Sequence, residues 1–463
     1  MQVEPFKAFR FDVGAVGEAG DCVAPPYDVI SPDQQEELYR KSPYNLVRII
    51  KGKTNASDDS HDNQYTRAAA FLAGWIDEGV LKQDPAEAIY AYVQDFVLAG
   101  ARYRRYSFVA LGKLEEFGAV VKPHEQLLRK PMIDRLNLKR ATSADFGLVF
   151  MIYDDPRKVV ETIVEEAAGT VPLIDFIDEQ EVRHRLFAIT AKDDIRQIVD
   201  MMSDKSCIIA DGHHRYTTGL RYCEENSDPA ARYQMMAFAN VRQDGLIVLA
   251  THRLVCNLDG FDMEQLLFDL EERFEVVEFG FDSTETKTRA RQEMLDRMRA
   301  EHENDKNAFG IYGSDEAFYV AVLKDARAMD TVVPDKSPAW RALDVSILHK
   351  LILEELLGID EEKQTQGQNL QYIKDTATAI DDSITRIDAG QVQVAFFMNP
   401  VKIQQLKTVT DAGERMPQKS TYFYPKVYSG LTINRLEGSQ STIGSEVSSK
   451  RDHSEPEIVN RKP

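Results

Sequence analysis

Ser206 to Tyr222 reads SCIIADGHHRYTTGLRY. The apolar run Cys207–Ala210 predicts a buried strand, Asp211-Gly212 is a turn dipeptide, and Tyr216 to Asn226 can continue as a helix. A strand that breaks at Asp-Gly and restarts as a helix presents free backbone N–H groups at the helix start, which attract anions. Gly212 permits a tight turn and close backbone approach. Arg215 adds a planar fork suited to phosphate oxygens, and Asp211 a carboxylate able to hold a metal or accept a proton. The competing structural reading makes Asp211 a helix cap and Arg215 a surface ion pair. Zinc is disfavoured, because adjacent histidines in an extended segment point to opposite faces and no CxxC or HxxxH partner lies nearby.

The surrounding chain of 463 residues is 43% hydrophobic and 29% charged, the balance of a globular protein with two or three sub-domains. A net charge of −20 argues against nucleic-acid binding. Arg102, Arg104 and Arg105 form the best local basic cluster, although a solvated strand face is the simpler reading. Cys22, Cys207, Cys223 and Cys256 have no metal-ligand spacing and suit a reducing compartment. MQVEPFKAFRFDVG lacks a signal-peptide pattern, and no apolar run approaches the ~20 residues of a membrane span. The expected location is the cytoplasm, with no membrane partner; the sequence sets no oligomeric state.

Short strands and helices alternate along the chain, which predicts a mixed α+β fold. Residues 1–115 read as one unit. It holds APPYDVIS (Ala24–Ser31), a helix from Pro32 to Lys41, a helix over Gln64–Gly79 and an antiparallel strand pair turning near Gly100. The glycine-rich Gly14–Gly20 reads as a surface loop, and residues 156–205 as mixed and mostly helical. Ala231–Val255 predicts two buried strands across Gln243-Asp244-Gly245. Further on, a helix is expected at Met263–Phe274, a strand–turn–strand at Phe309–Leu323 and an apolar helix at Leu343–Leu357. A strand (Gln391–Met398) and a helix (Val401–Ala412) complete the series. Residues 437–463 are Ser/Glu/Lys-rich and should be disordered.

A second motif, KPHEQL (Lys122–Leu127), follows Ala119-Val120-Val121, and Pro123 sets His124 and Glu125 at a strand-to-helix junction. KPHEQL, DGHHR and a late Lys-Ser-Thr element, in this order, resemble the free-serine kinases of the ParB/sulfiredoxin-like superfamily. Those enzymes phosphorylate L-serine itself from ATP or ADP, giving O-phospho-L-serine. APPYDVI, ADGHHRY and MPQKSTYFYPK mark the chain as similar to a longer bacterial family formerly of unknown function. The resemblance is collinear from about Val120 to Leu436. It implies a ParB/sulfiredoxin-like core at 116–260 with an insertion at about 156–205, an added N-terminal α+β unit (1–115) and a C-terminal α+β substrate-side domain (261–436).

Carried over residue by residue, the resemblance implies that Glu125 is the catalytic glutamate beside the serine hydroxyl. Asp211 opens the nucleotide-phosphate motif and is also catalytic; it is the first choice to contact Mg2+. Gly212, His213, His214 and Arg215 cradle the phosphates. His124 falls on the substrate side, and Lys419, Ser420 and Thr421 near the substrate carboxylate. His252 stands where the smaller enzymes carry a tryptophan and Phe423 where they carry a histidine, departures that bear on substrate identity more than on reaction type. The residue types suit the chemistry independently, since phosphoryl transfer needs held phosphates, a divalent metal and a carboxylate near the hydroxyl. The alternative is a ParB-like nucleotide-binding switch without kinase activity. A sulfiredoxin-like redox enzyme fits poorly, with no cysteine between Asp211 and Tyr216. Tyr27 and Asp28 of APPYDVI could reach the site from the N-terminal unit.

Overall fold

The computed structural model describes residues 1–125 and 129–436. Gln126 and Leu127 of KPHEQL, and the polar stretch 437–463 expected as a disordered tail, lie outside the described residues. The fold is mixed α+β, as the alternating segments predicted.

A nine-stranded sheet forms the centre. Its principal strands are β1 (Ile89–Leu98), β2 (Ala101–Lys113), β3 (Val121–Lys122), β4 (Val149–Tyr153), β5 (Ile174–Ile177), β6 (Arg183–Ile189), β7 (Cys207–Asp211) and β8 (Tyr233–Asn240). Their order is β3-β7-β4-β8-β2-β1-β6-β5, with Val3–Glu4 added alongside β2. The sheet therefore joins strands from both sides of residue 115. β1 and β2 are the expected antiparallel pair, turning through Ala99 and Gly100 at φ 49° and 79°, the left-handed geometry that suits a two-residue hairpin. The pairs β3/β7 and β4/β8 are parallel, and the rest antiparallel.

A second, antiparallel sheet of six strands follows: β9 (Thr251–Val255), β10 (Phe274–Gly280), β11 (Ala308–Tyr312), β12 (Ala317–Leu323), β13 (Leu370–Lys374) and β14 (Val394–Phe397). Its order is β10-β12-β11-β14-β9-β13. Apolar faces of both sheets and the N-terminal helices share one continuous core, which includes Phe11, Trp75, Phe150, Phe309 and Phe423.

Several expectations need correction. Tyr233–Asn240 and Thr251–Val255 do not pair across the 243–245 turn; they belong to different sheets. Gly245 sits where a Cβ would fall 2.0 Å from the Arg104 carbonyl oxygen, so the turn packs down on β2 instead of closing a hairpin. Residues 156–205 are mixed and mostly helical, as expected, with two helices beside β5 and β6, which extend the edge of the large sheet. Gly14–Gly20 is largely taken up by two short helical turns, Val13–Val16 and Ala19–Asp21. The arginine cluster divides: Arg104 pairs with Asp95 at the surface, whereas Arg105 is fully buried. Arg105 donates to Gln94 Oε1, to Tyr424 O (3.2 Å) and to Pro425 O (2.6 Å), and its guanidinium lies 4.7 Å above the Phe150 ring. Burial pushes that guanidinium's pKa down to about 10.

Arg105 thus holds the segment 422–426 onto the large sheet through two backbone carbonyls. Replacing it by alanine strands buried acceptors and opens a void. Arg105→Ala should cost about 3 kcal/mol of unfolding free energy, measured by urea denaturation; a loss under about 0.5 kcal/mol would show that the segment is anchored otherwise.

Candidate functional site

Parallel pairing of β3 with β7 brings the carboxyl ends of both strands to one edge, in the register Cys207↔Val121 and Ile208↔Lys122. The two motifs that follow these strands therefore meet. After β7 the backbone turns at Gly212 (φ +91°) and enters α2 (His213–Glu225). A Cβ at 212 would be strained at that φ and would fall 2.9 Å from Arg215 Nε. No side-chain hydrogen bond caps α2 at Gly212.

Asp211 lies at the centre. Arg215 donates to its Oδ1 at 3.1 Å and Lys426 to its Oδ2 at 2.5 Å. Burial by itself raises the pKa of this carboxyl, but Lys426 and Arg215 outweigh it, and the net shift is well below the usual carboxylate range. The same contact works in reverse on Lys426: burial favours the neutral amine, and Asp211 more than restores the ammonium.

The histidines form a rigid neutral pair. His124 Nδ1 lies 2.6 Å from the Ile209 carbonyl oxygen, which can only accept, so Nδ1 carries the hydrogen. Its Nε2 then accepts from Thr421 Oγ1 at 2.7 Å. The His124 amide donates to His213 Nε2 at 3.2 Å, which leaves the ring hydrogen on His213 Nδ1, 3.7 Å from Glu125 Oε2. Burial lowers the His124 pKa to about 4, and burial together with the neighbouring His124 keeps His213 well below its usual value. Both rings are neutral near pH 7 and act as fixed dipoles.

Glu125 reaches into the space that these groups enclose. Its side chain is 35% exposed, and no hydrogen bond ties down its carboxylate among the described residues. Burial of the carboxyl, reinforced by the charge of Asp211, raises its pKa; Lys419, Lys426 and His214 work against that shift.

The late element closes the site from the opposite side. The Met416 amide donates to the His124 carbonyl at 2.8 Å, and Arg253 donates to the Lys419 carbonyl at 3.0 Å. Lys419 takes a left-handed φ of 56° and is exposed at the rim. The Ser420 hydroxyl donates to Pro417 O at 2.6 Å and the Thr421 hydroxyl to His124, so both hydrogens brace the loop. Tyr422–Tyr424 pairs with Ile247–Leu249, and Phe423 packs against His124 and Phe150.

Glu125, Asp211, His213, Arg215, Lys419 and Thr421 therefore converge from segments far apart in sequence. His252 does not join them. It lies on the opposite face of β9 from Arg253, accepts the Met398 amide at Nδ1 (3.1 Å), and places Nε2 3.3 Å from Asp375 Oδ1. As a metal contact Asp211 is poorly suited, since each oxygen already faces a cation. Among the described residues no group of three or more His, Cys, Asp or Glu side chains is arranged to hold a metal.

Two site residues escaped the reading of the sequence. Lys426, the final residue of STYFYPK, holds Asp211, and Lys374, at the end of β13, comes in from the second sheet. Their ammonium groups lie 4.2 Å and 4.4 Å from the centroid of the Tyr422 ring. Burial and the neighbouring Lys426 lower the Lys374 pKa. Asp28 of APPYDVI acts electrostatically on both lysines, so that turn lies near this edge.

Fold and site together define a mixed α+β protein with a buried carboxylate–lysine–arginine centre at a strand-to-helix junction. The chain belongs to the family described as Protein of unknown function (DUF1015), whose pattern it matches over residues 3–346. Solved structures with remote likeness include "Free serine kinase in complex with AMP" (13% identity, 68% of this chain and 86% of that chain, TM-score 0.33). A conserved hypothetical protein from Pyrococcus furiosus (13%, 69% and 92%, 0.32) is another. A third is SbnI with a C-terminal truncation, from Staphylococcus aureus (9%, 72% and 90%, 0.33). No curated protein matches the sequence. Among the described residues, no helix is long and apolar enough to cross a membrane.

Because the Asp211 pKa is depressed below its ordinary 3.8, the stability it contributes is full above that pH and is lost as pH falls below it. Lys426→Met leaves a buried charge with one partner fewer. It should destabilise the fold by about 3 kcal/mol at pH 7 and by clearly less near pH 3 in urea unfolding. Equal losses at both pH values would contradict the charge pairing.

Proposed function

We propose that this chain is a phosphotransferase that moves a phosphoryl group from ATP or ADP to the hydroxyl of free L-serine or a close relative, giving O-phospho-L-serine. The observation that carries the reading is Glu125. It is a carboxylate with raised pKa, free of hydrogen-bonded cations among the described residues, facing the uncapped start of α2 beside Asp211, Arg215 and Lys426. The motif resemblance of KPHEQL and DGHHR supports the same assignment.

The donor phosphates would lie across the first-turn N–H groups of α2 and Arg215. The substrate hydroxyl oxygen attacks the terminal phosphorus; its bond to phosphorus forms as the bridging P–O bond breaks, and the nucleotide leaves one phosphate shorter. Glu125 orients the hydroxyl and takes its proton, for which a raised pKa is an advantage. Asp211 fixes Lys426 and Arg215 where negative charge gathers during transfer. Lys419 at the rim is placed for the amino acid's carboxylate, and the Ser420 and Thr421 hydroxyls hold that rim in shape. Mg2+ would be held mainly by the nucleotide phosphates and its own waters, since Asp211 is already cation-paired, and would offset phosphate charge there.

Incubation of the full chain with Mg2+, L-serine and either ATP or ADP, read by mass spectrometry, tests the reading through O-phosphoserine. Glu125→Gln should lower kcat by about 10²- to 10⁴-fold with the fold intact. The base is lost as pH falls through its raised pKa, so the acid limb of kcat should lie above the ordinary glutamate value of 4.5. Unchanged turnover in Glu125→Gln would refute the assignment, and nucleotide binding without product would favour the switch.

A further inference from the structure

Arg253, like Arg105, is fully buried, and it sits in the middle of β9. β13 and β14 flank it, in the register Arg253↔Tyr372 and Arg253↔Phe396, so the second sheet is its base. Its guanidinium donates to the Lys419 carbonyl at 3.0 Å and to the Thr251 carbonyl. The first of these bonds ties the second sheet to the late element that carries Lys419.

No carboxylate pairs with this guanidinium among the described residues; the titratable group that acts on it is Tyr372, whose ring centroid lies 5.6 Å away. Burial lowers its pKa to about 10, so it stays charged at neutral pH. A buried cation without a counter-charge is costly to the fold. A neutral amide could satisfy a backbone carbonyl at less cost. Holding a carbonyl does not by itself require a charge, and packing alone does not explain an arginine here.

The carbonyl that Arg253 holds belongs to a residue in a disfavoured conformation. Lys419 has φ 56°, a left-handed geometry that residues with a Cβ rarely adopt. Its neighbours are fixed by other bonds: the Met416 amide to the His124 carbonyl, the Ser420 hydroxyl to Pro417 O and the Thr421 hydroxyl to His124. Lys419 is held through its carbonyl by Arg253, and from this position its charge acts on Glu125. Released from Arg253, the peptide is free to relax to a right-handed or extended geometry, and the side chain then leaves the backbone in another direction.

We infer that Arg253 is a positioning residue for the acceptor: it fixes the Lys419 backbone, and with it the ammonium that receives the acceptor's acidic end, while its own unpaired charge adds to the positive potential beneath that subsite. The role rests on the phosphotransferase reading, which puts the acceptor's carboxylate at Lys419. A charge in the core is weakly screened, so Arg253 favours an acceptor with an anionic end over its neutral amide. The second sheet thereby takes part in acceptor binding, while the donor phosphates stay with the strand-to-helix junction of the large sheet.

Hydrogen–deuterium exchange and steady-state kinetics of the full chain test it, with Arg253→Met and Arg253→Lys. In both variants the amides of 416–421 should exchange about tenfold faster, whereas β9, β13, β14 and α1 (Arg129–Thr142) keep their rates. With Mg2+ and ATP or ADP, Arg253→Met should raise the KM for L-serine about tenfold and leave the KM for the nucleotide unchanged. It should also narrow the preference for L-serine over L-serinamide; Arg253→Lys, which keeps the charge, should retain more of that preference. If Arg253→Met does not fold, Arg253→Lys carries the exchange and KM readouts. Unchanged exchange in 416–421, loosening of the whole second sheet, or equal rises in both KM values would overturn the assignment. Faster exchange confined to 416–421, with no O-phosphoserine from the unsubstituted chain, refutes the phosphotransferase reading alone.

Discussion

Asp211 is a carboxylate buried between two cations, and much of the centre follows from keeping it charged. An isolated ionised carboxylate at that depth would be several kcal/mol too costly to bury. Lys426 and Arg215 compensate it, and to do so they must come from different places: Arg215 from the first turn of α2, Lys426 from a segment 215 residues further along the chain. The electrostatic requirement at one residue therefore pins the C-terminal segment onto the strand-to-helix junction. Arg105 secures the same segment from beneath, through the carbonyls of Tyr424 and Pro425.

Around that fixed charge the other groups have little freedom. The neutral histidines are held by one-way hydrogen bonds: a carbonyl that only accepts, an amide that only donates. Thr421 extends the chain of contacts into the loop that carries Lys419. Glu125 differs from its neighbours, because its carboxylate has histidines near it but no cation bonded to it among the described residues. Such an arrangement spends stability on placing one reactive carboxylate among fixed partners, which is the usual sign of a functional site rather than a structural one.

The sequence disclosed the local pieces of this centre well. The strand to Asp211, the Gly212 turn and the helix beyond it follow from an apolar run, a turn dipeptide and a periodic segment, all governed by neighbours in sequence. KPHEQL was legible as a strand-to-helix junction for the same reason. What the sequence concealed was long-range. Whether Tyr233–Asn240 and Thr251–Val255 pair depends on sheet partners far away, and a hairpin-like turn between them misleads. Arg105 looks like one of three surface arginines, although alternation along β2 turns it into the core. Lys426 and Lys374 carry no local motif that marks a lysine as a carboxylate partner, and His252 sits in a matching stretch while its strand turns it to the other face.

The chemistry assigned to this junction makes a direct structural demand. A crystal structure of the chain with ADP, Mg2+ and L-serine should show the terminal phosphate on the first-turn amides of α2, within reach of Arg215, and the serine hydroxyl against Glu125. A nucleotide seated elsewhere, or a terminal phosphate separated from Glu125 by the Asp211–Lys426 pair, would contradict the proposed phosphoryl transfer.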